Sequence, residues 1–393
     1  MFEDLTKQPT DKIMALMSMY AKDDRKNKID LGVGVYRDKT GNTPIMTAVK
    51  KAELELHGSQ KTKSYVGLLG SLNFVEKISN LTLGTSTLGL KISGAQAPGG
   101  TGALHQLFLL IRAARPSTTV WLSDPTWPNH PAILKHLGLK SLTYRYFDES
   151  TCEVDFGGMM NDLSGSKAGD IVLLHGCCHN PTGANLDFSQ WKEITTLCVT
   201  KNLVPLIDIA YQGFGDGLDA DVVGLRHMAS SVPNMMIATS CSKNFGIYRD
   251  RVGAALVVSS NQEEASLIQD NLKSLNRLTF SFPPDHGAAV VDFILGHTNL
   301  ENEWRSELER MRERMLATRM SLAAALKRET NSNRFDFIQK HRGMFSRLGL
   351  SKSNVEKLRN DFGIYMVEDS RINIAGLQAD NIDLLAASVA NVI

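Results

Sequence analysis

The sequence predicts an α/β fold: a mostly parallel central sheet with helices on both faces, and a smaller α/β domain beside it. Three observations carry this. Apolar runs of strand length end in polar turns in TTVWLSDPTWPNH, DIVLLHGCCHNPTG and LVPLIDIAYQGFG, as strands covered on both faces do. Helical periods lie between them, most clearly where APGGTGALHQLFLLIRAA passes from glycines into a helix. A chain of 393 residues is also too long for one small core. We place an N-terminal arm and part of the small domain at 1–43, the large domain at 44–310, and the rest of the small domain at 311–393.

Composition narrows the functional classes. Apolar content of 42% and charged content of 22% are those of an ordinary globular protein. A net charge of +1 argues against a surface built broadly for nucleic acid or acidic membranes, and leaves room for local basic pockets. Cys152, Cys177, Cys178, Cys198 and Cys241 are odd in number and lack paired zinc-type spacing, so reduced thiols of a cytoplasmic protein and no metal are expected. MFEDLTKQPTDK is acidic and polar where a signal peptide needs a basic region and an apolar core. No apolar run reaches membrane-spanning length.

Residues 1 to 28 read as an arm with a short amphipathic piece, IMALMSMYA. IDLGVGVYRDKTG, from Ile29 to Gly41, reads as an apolar strand broken by Gly32 and Gly34; it lacks the third glycine of a dinucleotide fingerprint. The loop KTKSYVGLLG sets Tyr65 between basic and small residues. Gly99, Gly100 and Thr101 open a helix, so their N–H groups and the helix dipole suit an anion. No Lys-Ser/Thr pair follows, which excludes a nucleotide P-loop.

The turn after TTVWLSD presents Trp127 and His130 at the carboxyl end of a strand, where α/β enzymes bind ligands, and a flat indole can stack on a ring. Asn180, in the tight turn after DIVLLHG, can donate its amide. LVPLIDIA delivers Asp208 to a strand end, with Tyr211 just beyond. A carboxylate there is costly to desolvate without a cationic partner. Arg277 lies at a helix end before FSFPP, Leu300 to Arg328 reads as one long helix with Glu and Arg on its polar face, and Arg371 sits on a strand between Ser370 and Gly376.

The chemistry centres on ATSCSKNFGIYRDRVGA, from Ala238 to Ala254. A lysine becomes a nucleophile only with a lowered pKa or as an imine, and Arg251 is a nearby positive charge that favours both. Ser240, Ser242 and Arg251 form the donor set expected around a phosphate. Lys243 beside such a cradle suggests pyridoxal phosphate, although SxSK alone describes many loop lysines.

SCSKNFGIYRDRVGA resembles the lysine segment of the class I aminotransferases, in their aspartate and aromatic amino-acid branch, and the likeness runs from LGVGVYRD to SRINIAGL in family order. The resemblance implies the aspartate aminotransferase-like fold of pyridoxal-phosphate transferases, with 44–310 as the cofactor-binding domain, and a homodimer with active sites at the subunit interface. It implies that Lys243 holds the cofactor as an imine and, once displaced, moves the substrate's α-proton. Asp208 would keep the pyridine nitrogen protonated, and Asn180 and Tyr211 would bond the ring's 3-oxygen. Gly99, Gly100, Thr101, Ser240, Ser242, Arg251 and the partner subunit's Tyr65 would anchor the phosphate, with Trp127 on the ring. Gly34, Trp127 and Asn180 would meet the substrate, Arg371 its α-carboxylate, and Arg277 a distal carboxylate across the subunit boundary. The implied reaction moves an amino group from aspartate or aromatic amino acids to 2-oxoglutarate by ping-pong kinetics.

The match departs from the family in places. Ser370 stands where a glycine commonly precedes the carboxylate arginine, so the backbone angle there is expected to differ slightly. Arg347 replaces an aromatic or apolar residue, and Phe280 and Phe282 flank Ser281 where relatives are more polar. Phe282 either favours aromatic substrates or packs on the double proline. Two rivals remain at this level: another pyridoxal-phosphate reaction such as decarboxylation or elimination, and an idle cofactor-binding regulator. Arg277 speaks against the first, and the lack of spare length for a DNA-binding module speaks against the second.

Overall fold

The computed structural model describes residues 1–7, 11–84 and 89–393. Among these, seven strands form the central sheet: β1 (Lys91–Pro98), β2 (Thr119–Asp124), β3 (Lys140–Arg145), β4 (Ile171–His175), β5 (Val204–Ile209), β6 (Met235–Ser240) and β7 (Val252–Ser259). Their order is β1-β7-β6-β5-β4-β2-β3. Strand β7 is antiparallel to β1 and β6, and the remaining neighbours are parallel.

Side chains alternate across this sheet, as the pleat requires. Val172, Leu174 and Ile207 join one buried cluster, while Ile171, Leu173 and Leu206 join the other. Burial on both faces explains why β4, β5 and β6 are almost continuously apolar. The edge strand β3 is mostly exposed and carries Lys140 and Arg145, charges that blunt a free edge.

Chain segments from both ends meet beside the sheet. Ile29–Asp30 pairs in parallel with Ile364–Tyr365, and Phe345–Arg347 pairs antiparallel with Arg371–Asn373. The strand expected from Ile29 to Gly41 is therefore paired only at its start. Beyond it the backbone is held by single bonds, with Asn373 Nδ2 donating to the Val33 and Val35 carbonyls at 2.6 and 2.8 Å. Gly32 packs where a Cβ would strike Leu16, and Gly34 where it would meet Phe345, which breaks the regular ladder.

The long helix is present as Thr298–Thr330. One of its arginines is not on a polar face: Arg319 is buried, donating to the carbonyls of Ile338, Gly343 and Phe345 and to Ser346 Oγ. All five cysteines are free and buried. Among the described residues no helix is long and apolar enough to cross a membrane.

Candidate active site

Because β2, β4, β5 and β6 run the same way, their carboxyl ends open on one edge of the sheet, and a cavity of about 230 Å³ lies there. It is lined by Gly100, Thr101, Trp127, Asn180, Asp208, Tyr211, Ser240, Ser242, Lys243 and Arg251, all read from the sequence, and also by His175, Cys177 and Ala210. Gly99 sits directly behind, beneath the Arg251 guanidinium.

Lys243 leaves the end of β6 and enters the cavity with its Nζ 5.0 Å from the centre of the Tyr211 ring. Burial lowers its pKa to about 8; the charge of Asp208 opposes that shift and the charge of Arg251 adds to it. Burial also pushes the Tyr211 phenol well above its ordinary range.

Asp208, at the end of β5, shows the opposite balance. Burial would raise its carboxyl, but a hydrogen bond and charge from His130, with further charge from His175 and Lys243, hold it below the ordinary carboxylate value. His130 Nε2 lies 3.0 Å from Asp208 Oδ2, and its Nδ1 is 2.7 Å from Thr126 Oγ1. Thr126 Oγ1 is in turn 3.3 Å from His175 Nε2. The His175 ring lies 4.0 Å from that of His179, which stacks on Tyr146 at 4.1 Å. Burial, reinforced by His130, lowers His175 to about 3. Of these histidines the sequence marks His130 only as a neighbour of Trp127; His175, the last residue of β4, and His179 just beyond it in HGCCH carried a signal that went unused.

The anion cradle is made by close approach. Gly99 has a φ of 73°, and a Cβ there would come within 2.5 Å of Arg251 Nη2. A Cβ on Gly100 would stand 3.1 Å from that of Ser240. The helix Gly99–Ala114 begins here with no side-chain cap hydrogen bond, and its first-turn residues Gly100 and Thr101 line the cavity. Arg251 Nη1 donates to the Tyr248 carbonyl at 3.1 Å and reaches Ser242 Oγ at 3.4 Å.

Arg371 does not itself line the cavity but lies beside Asn180, which does. Its Nη2 donates to the Gly32 carbonyl at 2.9 Å, its Nη1 is 3.5 Å from Asn180 Oδ1, and its guanidinium lies 4.4 Å over the Phe345 ring. Its Nε is buried and has no hydrogen-bond partner among the described residues. Ser370 takes a φ of 61°, the left-handed region that glycine favours, and is held there while its Oγ accepts from Leu350 N at 3.3 Å. Gly34 is placed beside this group by Phe345, whose Cζ would lie 2.9 Å from a Cβ.

Tyr65 and Arg277 are not in this cavity. They form a separate surface recess with Phe282, where Tyr65 is 85% exposed.

Residues 26–389 match the family model described as aminotransferase class I and II. The chain is 50% identical over 392 residues to an aromatic-amino-acid aminotransferase of Paracoccus denitrificans, covering 100% of both chains. It is 40% identical over 396 residues to an aspartate aminotransferase of Escherichia coli (strain K12), again over 100% of both. A solved aromatic-amino-acid aminotransferase from Burkholderia pseudomallei, described as covalently bound to pyridoxal phosphate, matches with a TM-score of 0.97 at 37% identity, covering 100% of this chain and 99% of that one. The chain belongs to the class I and II aminotransferases. It is an amino-acid aminotransferase, and pyridoxal phosphate is its cofactor. The residues present fit that group: a glycine-floored cradle under Arg251, a buried carboxylate held ionised, and a lysine amine of lowered pKa share one cavity.

Proposed function

We propose that the protein transfers amino groups from aromatic amino acids and from dicarboxylic amino acids to 2-oxoglutarate, using one cavity per subunit of a cytoplasmic homodimer. Bound pyridoxal phosphate supplies the electron sink for the substrate's α-carbon. The rest is done by the chain. Asp208, kept ionised by His130, stabilises a proton on the ring nitrogen. Asn180 and Tyr211 orient the ring's 3-oxygen, and Trp127 covers a ring face. The N–H groups at Gly99, Gly100 and Thr101, the hydroxyls of Ser240 and Ser242, and Arg251 hold the phosphate. Lys243 anchors the cofactor through Nζ and, when free, takes the α-proton and returns it. Arg371 receives the α-carboxylate through the edge that carries its unpartnered Nε.

The dimer reading rests on Tyr65 and Arg277, which face outward here although the family likeness gives both a part in the chemistry. They would complete the partner's cavity, Tyr65 at the phosphate and Arg277 at a distal carboxylate. The pairing of Ile29–Asp30 with Ile364–Tyr365 supports a small domain built from both termini, with 44–310 as the large one.

The observation that carries the reading is the opposed pair in one cavity: Asp208 ionised and Lys243 with a lowered pKa. Lys243→Ala should abolish turnover and covalent cofactor attachment. Appreciable transamination by that variant would overturn the assignment. Adding aspartate or phenylalanine to the holoenzyme should shift its visible band in a single half-reaction, ranking the donors.

A further inference from the structure

Phe282 lies outside the cavity, and its ring meets both Tyr65 and Arg277. The Tyr65 ring is nearly parallel to it at 14°, with ring centres 4.7 Å apart. The Arg277 guanidinium lies 5.8 Å from the Phe282 ring centre. The backbone is bent to produce this. Ser281 has a φ of 65°, and Phe282 N–H donates to the Phe280 carbonyl at 2.8 Å, the rare and strained positive-φ form of the γ-turn. A strained residue persists only where its surroundings over-determine it, and such residues gather at working sites. The turn sends the Ser281 hydroxyl onto Arg277 Nη1 at 2.6 Å. The two segments are also tied through the backbone: Asn276, next to Arg277, donates from Nδ2 to the carbonyl of Leu68, in the loop that carries Tyr65, at 2.8 Å.

We propose that Phe282 is a positioning residue that aligns Tyr65 and Arg277 as one unit, so that cofactor retention and recognition of a dicarboxylate's distal carboxylate depend on the same ring. This rests on the roles given above to Tyr65 and Arg277. Without a flat ring in contact with both, an 85%-exposed tyrosine and a long arginine would each sample many rotamers, and each would lose that freedom on binding. The shared ring removes that cost for both beforehand. A ring is required because offset stacking and cation–π attraction both need a π face.

The test compares holoenzymes of Phe282→Leu and Phe282→Tyr with the parent, reading the KM for aspartate and the rate of cofactor loss on dilution. Phe282→Leu should raise both by about five- to tenfold, the size of one aromatic and one cation–π contact. Phe282→Tyr keeps the π face and should restore both. The proposal is overturned if Phe282→Leu leaves either quantity unchanged, or if Phe282→Tyr is as impaired as the leucine variant. Tyr65→Phe and Arg277→Leu separate this from the wider reading. If Tyr65→Phe leaves cofactor loss unaltered and Arg277→Leu leaves the aspartate KM unaltered, the assigned roles themselves fail. If those variants respond while Phe282→Leu does not, only the coupling fails.

Discussion

His130 Nε2 and Asp208 Oδ2 lie 3.0 Å apart beneath the cavity, both buried, and this contact decides which form of the carboxyl the site presents. Burial alone would raise the Asp208 pKa; the histidine bond and the surrounding charges reverse it. The lowered carboxyl contributes stability above the ordinary carboxylate range, and that contribution is lost as pH falls through its folded value. His130→Ala keeps the burial and removes the bond. The acid limb of kcat/KM should then move upward in pH. A pH–rate profile checks this, and an unmoved acid limb would count against the pairing.

Lys243 carries the opposite sign. Its folded value of about 8 lies below the ordinary 10.5, so between those two pH values the unfolded chain binds the extra proton and stability rises with pH. Below the folded value the penalty is complete, on the order of 3 kcal/mol. Cofactor-free Lys243→Met should therefore be more stable than the cofactor-free parent at neutral pH, with the gap closing as pH rises toward 10.5. Urea titrations at several pH values measure it.

Arg371→Leu removes the guanidinium beside Asn180 and leaves the Phe345 ring without its guanidinium layer. The specificity constant for all donors should fall about a hundredfold or more, the scale of a charge-assisted bidentate pair. Steady-state kinetics with aspartate and with phenylalanine test whether the loss is shared, as recognition of an α-carboxylate requires.

Gly99→Ala would put a methyl group 2.5 Å from Arg251 Nη2 at a φ of 73°. The displaced guanidinium should weaken cofactor phosphate binding by about tenfold, with about 1–2 kcal/mol of backbone strain. Inorganic phosphate competition and thermal unfolding separate the two effects.

Arg319→Met would strip hydrogen bonds from the carbonyls of Ile338, Gly343 and Phe345 at once. Leaving buried acceptors unpaired should cost about 3 kcal/mol or more in urea unfolding. Because Phe345 underlies Arg371, the KM for amino acids should rise while kcat changes less.

Much of the site was legible because its residues stand at strand ends that the sequence marks sharply. Lys243, Asp208 and Asn180 each follow an apolar run, and the sheet brings those ends together whatever the loops do. The histidine series was less visible, since its meaning lies in contacts between β2, β4 and β5 rather than in any one segment. Arg319 was misjudged for a related reason: helical periodicity assigns it to a charged face, but carbonyls from residues 338–345 make a polar pocket for it that no local pattern records. Tyr65 and Arg277 drew their roles from family likeness, because nothing local distinguishes them from surface residues. Ile29 to Gly41 carries strand-like side chains, yet glycines at close contacts leave most of it unpaired.

Strand β7 runs against its neighbours, and Gly253 pairs directly with Ser240 at the end of β6. Lys243 and Arg251 are thus the two legs of one hairpin connection, and the length of that connection works as a ruler between the amine and the phosphate anchor. One inserted residue would displace one leg against the other by up to about 3.3 Å, more than either contact tolerates. Length variation in this chain should collect in turns at the opposite edge of the sheet. Any graft of this chemistry onto another scaffold has to carry residues 240–253 as an undivided block.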